Sequence, residues 1–252
     1  MQQEVAVALY TARPGQTAYG YPVGIICARW HIPFIPGDVN HAASFDYPVR
    51  YLPVDVPGAD ILRGAARPER YTEDIVAAAR QLEAEGVRAI TSNCGFFGLW
   101  QRAAADAVSV PVFMSSLLLV PFIRSLIGSD RKVGVVVANS EGVTGELLAA
   151  VGIGDDDSTA FAGMESFPHF ASVVLQESGK LDTDAMRDEV TEACRGLLID
   201  HPDIGALLLE CSDLPVYAHA VHEATGVPVF DWVALIDFVE RTVVPKRYAG
   251  IY

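Results

Sequence analysis

The sequence predicts an α/β protein built from two similar halves, each with a parallel β-sheet. Three observations support this fold class: short apolar runs typical of buried strands, amphipathic helical segments between them, and an internal repeat. The chain has 252 residues, 51% of them hydrophobic, which is enough for one large domain or two small ones.

Six runs rich in Val, Ile and Leu are predicted to be buried parallel strands. They are Val5–Tyr10, Val87–Thr91, Val110–Phe113, Val133–Ala138, Ile204–Leu209 and Val227–Phe230. Two stretches are predicted to be irregular loops. They are Pro33–Pro57, rich in Pro, Asp and aromatic residues, and Gly152–Ser158.

Two helices are predicted between the strands. The first covers 72–86, with an N-cap threonine, acidic residues in its first turn and a glycine at its end. The second begins near Asp182 or Asp184 and runs to about Ile199. Strands that alternate with helices indicate a parallel sheet.

The strongest signal is the internal repeat. The segments Ala89–Cys94 and Leu207–Cys211 are each a predicted strand that runs into a cysteine. In both copies the tetrapeptide Val-Pro-Val-Phe begins 16 residues after the cysteine, so the block repeats at an offset of 117 residues. A period this long predicts a duplicated, Rossmann-like α/β domain rather than a solenoid.

The positions of Cys94 and Cys211 predict a functional role. Both lie at the carboxyl end of a predicted strand, where ligands of open parallel sheets bind. The N–H groups at the start of the following helix favour a thiolate and an anionic ligand. Free cysteine is also common in cores, and this is the interpretation for Cys27 and Cys194, which lack such a setting.

Two thiols on opposite faces of one carbon suit racemisation, which removes a proton beside a carbonyl and returns one from the other side. The sequence therefore predicts a racemase or epimerase of a small carboxylate, with Cys94 and Cys211 as acid and base. The developing negative charge needs donors. Candidate substrate-binding residues are Thr11, Asn93, Gly95, Ser115, Ser116, Asn139, Ser140, Thr144 and Ser212. For the hydroxyl residues, ordinary turn or N-cap chemistry is the alternative.

The strand-end segments Thr91–Phe96 and Glu210–Pro215 resemble the two cysteine motifs of the aspartate/glutamate racemase superfamily. The turn Val135–Ser140, with Thr144, is similar to the hydroxyl-rich turn that opens the second half of these proteins. The superfamily includes glutamate, aspartate and hydantoin racemases, arylmalonate decarboxylase and maleate isomerase.

The resemblance implies two pseudo-symmetric domains, one formed by 1–115 with 230–252 and the other by 116–229. It also implies an active site between them, without pyridoxal phosphate or metal. The sequence itself has no Gly-x-Gly-x-x-Gly loop between a strand and a helix and no His/Cys cluster with zinc spacing.

Departures from the resemblance leave the substrate open. Glutamate racemases carry Asp-Ser after the first strand, where this chain has Tyr10–Thr17, and Thr-His-Tyr-Pro after the second cysteine, where it has Ser212–Pro215. Two carboxylates beside Cys211, Glu210 and Asp213, either tune the thiol or are solvated.

Several other polar residues have open roles. The loop 33–57 is a candidate cover for the cleft. Its Asn40 and His41, like His169, are either substrate-binding or surface residues. Arg13 and Arg29 are candidate carboxylate clamps.

Two alternatives come from other classes. A cis–trans isomerase or decarboxylase of a small dicarboxylate would use the same scaffold, although arylmalonate decarboxylase-like enzymes keep only one of the two cysteines. A non-catalytic small-ligand binding protein also suits two lobes around a cleft, but it has no need of two thiols at equivalent strand ends.

Composition restricts the partners. The formal net charge of −14 repels phosphate backbones, so we expect no nucleic-acid partner. No apolar run reaches the roughly 18 residues of a membrane span, and the start lacks a signal-peptide pattern. Four cysteines in such a chain are typical of thiols in a reducing cytoplasm. Homo-oligomerisation stays open.

Overall fold

The computed structural model describes residues 9, 11–12, 16, 18–62, 68–154 and 158–248. These residues form two four-stranded parallel sheets with helices packed against them, which confirms the predicted fold class. The predicted strand over 5–10 lies outside the described residues, apart from Leu9, which is exposed.

The two sheets have the same strand order. In the first sheet the order is β2-β1-β3-β4, and in the second it is β6-β5-β7-β8. The strands are β1 Val23–Arg29, β2 Val49–Pro57, β3 Ala89–Ser92, β4 Val112–Phe113, β5 Lys132–Val137, β6 Thr159–Gly163, β7 Ile204–Leu209 and β8 Val229–Asp231.

The register of the sheets reproduces the sequence repeat. Thr91 pairs with Phe113 across β3 and β4, and Leu208 pairs with Phe230 across β7 and β8. Both pairs are separated by the same 117 residues that separate the two cysteines. The duplicated block therefore places the two cysteines at equivalent strand ends.

Three strands, β1, β2 and β6, lie where no strand was predicted. Strand β1 lies between β2 and β3, and it contains Cys27. The predicted loop 33–57 is wrong in its second part, which forms β2 at a sheet edge. Strand β2 contains Pro53 and Pro57. Because proline lacks the N–H that a central strand needs, these residues are tolerated only at an edge, and they make the segment look like a loop in the sequence.

The helices lie close to their predicted places. The helix predicted over 72–86 begins earlier, at Pro68, and the second predicted helix begins at Thr183 with Asp182 as its N-cap. The helices are α1 Gly58–Leu62, α2 Pro68–Glu85, α3 Gln101–Ala107, α4 Leu119–Leu126, α5 Gly145–Ala150, α6 Pro168–Phe170, α7 Thr183–Asp200, α8 Ala218–Thr225 and α9 Trp232–Val243.

The last helix packs against the first sheet. The Nε1 atom of Trp232 donates a hydrogen bond of 3.3 Å to Oγ1 of Thr91 in β3. Leu235 and Ile236 share a buried cluster with Val23 and Ile25 of β1. The chain thus returns to its first half, although the exact domain boundaries stay a prediction.

One hydrophobic core joins the two halves. It runs from Ile26 and Ile90 in the first sheet through the turn after Cys94 to Val137 and Leu208 in the second. Because this core is continuous, the two strand ends that carry cysteines are fixed relative to each other. Among the described residues, no helix has the length and apolar character needed to cross a membrane.

Candidate active site

Cys94 and Cys211 line one small cavity between the two halves. Cys94 follows β3 and precedes a 3₁₀ turn over Gly95–Trp100, and Cys211 follows β7. Both side chains are buried free thiols. The cavity has a volume of about 20 Å³, room for about one water molecule, so a larger ligand enters only if its walls move.

The walls of this cavity combine large apolar side chains with buried acids. Trp30, Ile32, Leu62 and Val174 are the large apolar side chains that line it. The polar lining comes from the two strand ends and includes two acids. It consists of Asn93, Gly95, Glu210, Ser212 and Asp213, beside the two thiols. No Lys or Arg of the described residues lines this cavity.

Burial opposes the thiolate that the sequence predicts at these two positions. Burial and the nearby Glu210 carboxylate raise the pKa of Cys94, and backbone donors of the following turn oppose this only in part. Burial, followed by the negative charges of Asp213 and Glu210, raises the pKa of Cys211 well above its ordinary value. Burial and the neighbouring acids therefore favour the thiol form of both cysteines.

Glu210 is a buried acid directly beside the thiols, only 1% exposed. Burial raises its pKa to about 8, with a further rise from Asp213, although the backbone N–H of Ala138 donates to its carboxylate. A Cβ atom at Gly95 would overlap Oε1 of Glu210. Glu210, beside the second cysteine, thus occupies the space that is left because Gly95, beside the first cysteine, has no side chain.

Asp213 and Asp38 form a second acidic feature. The Sγ atom of Cys211 donates to Oδ2 of Asp213 at 3.7 Å, and the carboxyl of Asp38 lies within hydrogen-bond reach of that of Asp213. Burial and the mutual repulsion of the two carboxylates raise the pKa of Asp38 well above its ordinary value, and burial raises that of Asp213. A carboxyl pair of this kind retains one proton between the two groups.

The segment 33–48, which contains Asp38, is hydrogen-bonded to two residues that line the cavity. The backbone N–H of Val39 donates to the carbonyl of Ser212 at 3.3 Å. The Nδ2 atom of Asn93 donates to Oδ1 of Asn40 at 2.9 Å, and the Tyr51 hydroxyl donates to the carbonyl of Val39 at 2.9 Å. These bonds give the predicted cover a physical basis.

The two histidines left open by the sequence lie away from the cavity. His41 Nδ1 accepts a hydrogen bond of 3.1 Å from Ala43 N, which caps its own turn. His169 Nε2 accepts one of 3.0 Å from Asp182 N at the start of α7. Both therefore have structural roles in the described residues.

Three predicted binding residues hold the strand ends in place. The Oδ1 atom of Asn93 accepts a hydrogen bond of 2.9 Å from Ala28 N at the end of β1. The Ser212 hydroxyl donates to the carbonyl of Asn93, and the Ser116 hydroxyl donates to that of Glu210, both at 2.9 Å. Of these three, Asn93 and Ser212 also line the cavity.

Three other predicted binding residues are turn caps rather than cavity walls. The side chains of Ser115, Asn139 and Thr144 each accept a hydrogen bond from a backbone N–H two or three residues further on. This is the alternative that the sequence left open for such residues.

The remaining predicted polar residues lie elsewhere. Ser140 is exposed and bonds to Glu165. Thr11 lines a separate surface cavity. Arg29 forms an exposed ion pair of 3.6 Å with Asp55, and Arg13 lies outside the described residues. None of the described three is in the cysteine cavity.

Sequence reasoning missed the apolar walls and Asp38. Trp30 and Ile32 follow β1, and that strand was not predicted, so nothing placed them at a strand end. Asp38 lies between Gly37 and Asn40 in a loop singled out for its histidine. Among the described residues, no group of three or more His, Cys, Asp or Glu side chains is arranged to hold a metal ion.

Two parallel-sheet halves with a cysteine at each equivalent strand end define a two-cysteine α/β enzyme scaffold. The chain belongs to the Asp/Glu/hydantoin racemase family, whose model matches residues 41–236. This confirms the family to which the sequence motifs pointed.

Solved structures share this fold. A sulfate-associated mutant of arylmalonate decarboxylase aligns with a TM-score of 0.60 and 20% identity, over 90% of this chain and 95% of its own. Aspartate racemase of Picrophilus torridus aligns with 0.55 and 17%, over 91% and 96%. Glutamate racemase of Thermus thermophilus aligns with 0.53 and 20%, over 92% and 84%.

Curated relatives correct the predicted activity. A dimethylsulfoniopropionate lyase of Durusdinium sp. clade D is 33% identical over 235 residues, 91% of this chain and 77% of the relative. Dimethylsulfoniopropionate lyases 6 and 3 of Emiliania huxleyi (strain CCMP1516) are 32% and 31% identical over 237 residues. These alignments cover 91% of this chain but only 61% of each of those two relatives.

The prediction of a racemase, and with it that of an isomerase, is wrong. The relatives are named as lyases, and this favours the sequence-based alternative that included a decarboxylase over the main prediction. The scaffold was correctly predicted, but the motifs that identify it do not distinguish inversion at a carbon from elimination.

Proposed function

We propose that the protein is a lyase that releases a sulfide from a small β-sulfonium carboxylate such as dimethylsulfoniopropionate. The observation that carries the proposal is the cysteine cavity, where two thiols lie among buried carboxyls and no Lys or Arg of the described residues lines the wall. A dicarboxylate would meet no positive side chain there to neutralise its second charge. A sulfonium cation would instead be neutralised by the buried carboxyls. The similarity to dimethylsulfoniopropionate lyases supports the same substrate class.

The reaction needs one base. Removal of a proton from the carbon beside the carboxylate moves the C–H electron pair into a new C=C bond. The C–S bond breaks, and its electron pair leaves with sulfur as neutral dimethyl sulfide. The other products are acrylate and the proton held by the base, so all atoms and charges balance. Unlike racemisation, this needs no second group to return a proton.

We assign Cys94 as that base. The backbone donors of the 3₁₀ turn that follows it stabilise a negative charge on its sulfur. The Sγ–H group of Cys211 instead donates a hydrogen bond to Asp213. Cys211 thus helps to orient the acid beside it, while Cys94 is free to face the substrate.

A cationic substrate also explains how a buried thiol becomes a base. In the free protein burial keeps the pKa of Cys94 high, and the neighbouring acids Glu210 and Asp213 raise it further when they are ionised. A positive sulfonium group in the cavity lowers the pKa of the thiol, which then releases its proton to solvent and becomes the thiolate base. The base is then activated only when the proper substrate is bound.

The experiment is a direct assay of the purified full chain with dimethylsulfoniopropionate. We expect dimethyl sulfide in the headspace and acrylate in solution in equal amounts. Glutamate, aspartate and arylmalonate, incubated in D₂O, serve as a panel for the other reactions of the scaffold. Deuterium incorporation into one of these acids, without any sulfide release, would overturn the proposal.

A further inference from the structure

We propose that Asp38 and Asp213, with the apolar cavity beside them, form a subsite for the methylated cationic head group of the substrate. We call this the onium subsite. It deepens the proposed function, on which it rests for the identity of the substrate. The residues come from both halves of the chain, so the subsite exists only in the folded protein.

The first observation is a second cavity next to that of the cysteines. It has a volume of about 10 Å³, and Ile32, Val174 and Asp213 are walls of both cavities. A small shift of the Ile32 or Val174 side chain would therefore join the two cavities into one elongated chamber. One end of this chamber carries the thiols, and the other carries the carboxyl pair.

The second observation is an unused acceptor. Apart from the neighbouring Asp38 carboxyl, the buried Oδ1 atom of Asp213 has no hydrogen-bond partner among the described residues, whereas its Oδ2 accepts from Cys211. Asp38 is 2% exposed, and its Oδ1 accepts from the backbone N–H of Asn40 at 2.6 Å. A buried carboxylate oxygen without a donor is costly unless a ligand compensates it.

The chemistry of the walls selects the type of cation. Apart from the two acids, the second cavity is largely apolar, with Ile35, Val173, Leu181 and Met186 among its walls. A metal ion or a primary ammonium group requires several oxygen partners, which these side chains do not offer. A methylated sulfonium or quaternary ammonium group donates no hydrogen bonds and exposes only methyl groups, which such walls accommodate.

The geometry also fits a short substrate. Cys211 Sγ lies 3.7 Å from Asp213 Oδ2, so the acid pair is adjacent to the reacting end of the chamber. In a β-sulfonium carboxylate, two carbons separate the cation from the carboxylate. Two aromatic residues flank the path, Trp30 in the first cavity and Tyr217 in the second, and aromatic faces attract methylated cations.

The test compares two unreactive ligands of the same shape. One is 3-(trimethylammonio)propanoate, and the other is 4,4-dimethylpentanoate, in which carbon replaces the charged nitrogen. Calorimetric titration of the full chain should show that the charged ligand binds at least about tenfold more tightly. In Asp213→Asn this preference should fall to about threefold or less, with little change for the neutral ligand.

Asp38→Asn is the second variant, and it should weaken the preference in the same direction. Asp55→Asn, which removes an exposed carboxylate near the sheet edge, is the matched control and should keep the wild-type preference. Circular dichroism and thermal unfolding establish that each variant is folded. If Asp213→Asn does not fold, the wild-type ratio and Asp38→Asn decide the result.

Equal affinity of wild type for both ligands, or an unchanged preference in both folded variants, would refute the onium subsite. These measurements need no turnover, so they separate the two proposals. A charge preference without sulfide release would support the subsite and reject the lyase. Sulfide release without a charge preference would support the lyase and reject the subsite.

Discussion

The hydroxyl of Ser212 donates a hydrogen bond of 2.9 Å to the backbone carbonyl of Asn93. Ser212 directly follows one cysteine, and Asn93 directly precedes the other. This single buried bond therefore ties the two strand ends together across the halves.

Replacing Ser212 with alanine tests this connection. The variant leaves the carbonyl of Asn93 without its donor, and we expect a loss of about 1–2 kcal/mol in the free energy of unfolding. Sulfide release should fall more than this loss predicts, because the cysteines are no longer held in register. Urea denaturation and the headspace assay measure the two effects.

Ser125→Ala is the matched control, since Ser125 is exposed and bonds only within its own helical turn. It should change neither stability nor activity appreciably. If Ser212→Ala behaved like this control, the bond between the halves would have no role in holding the site.

Gly95 provides a second test, because the Glu210 carboxyl occupies the space of its missing side chain. We expect Gly95→Ala to displace Glu210 and to reduce both sulfide release and the free energy of unfolding, the latter by about 1–3 kcal/mol. Gly196→Ala is the control, because nothing lies within 4 Å of a Cβ there. It lies in an exposed part of α7 and should stabilise the protein by up to about 1 kcal/mol.

The fold was largely predictable because it is duplicated. The repeated strand-cysteine block and its Val-Pro-Val-Phe tetrapeptide predicted the parallel sheets, and both copies occupy equivalent places in them. Edge strands were not predictable in the same way. Strand β6, Thr159–Gly163, contains one β-branched residue and pairs with β5 only, so its sequence lacks the pattern of a buried strand.

The candidate site was predictable only in part. The repeat led to Cys94 and Cys211, which the structure places in one cavity. The state of the thiols was not predictable, because it depends on burial and on Glu210 and Asp213, whose direction in space the sequence does not give. Asp38 is contributed by a loop whose path over the site no local pattern encodes.

The stability of the protein should depend on pH through Glu210. Its pKa is raised from 4.5 to about 8 in the folded state, so the folded protein holds a proton that the unfolded chain has lost. This contribution to stability is complete below pH 4.5 and is lost as the pH rises through 8. The buried carboxyls of Asp38 and Asp213 act in the same direction.

Glu210→Gln removes this dependence. Relative to wild type, the variant should gain up to about 1.4 kcal/mol per pH unit between pH 4.5 and 8, with no further change above that range. Denaturation curves at several pH values measure the difference.

Glu83→Gln is a control in which the effect has the opposite sign. Hydrogen bonds from Ser109 lower the pKa of Glu83, so replacing this carboxylate should reduce the free energy of unfolding at neutral pH. A pH-independent difference between wild type and Glu210→Gln would show that Glu210 is ionised throughout.

The cysteines themselves give the most direct test of the proposed chemistry. Cys94→Ser keeps a side chain of similar size but replaces the base with a far weaker one, and sulfide release should fall by about 10²–10⁴-fold. Cys211→Ser should have a smaller effect on turnover, because elimination requires no second proton donor.

Cys194→Ser changes a buried thiol outside the cavity and is the control for the loss of a core cysteine. Racemisation would instead make both cavity cysteines equally necessary. Headspace sulfide measured at saturating dimethylsulfoniopropionate separates these outcomes, and wild-type turnover in Cys94→Ser would refute its assignment as the base.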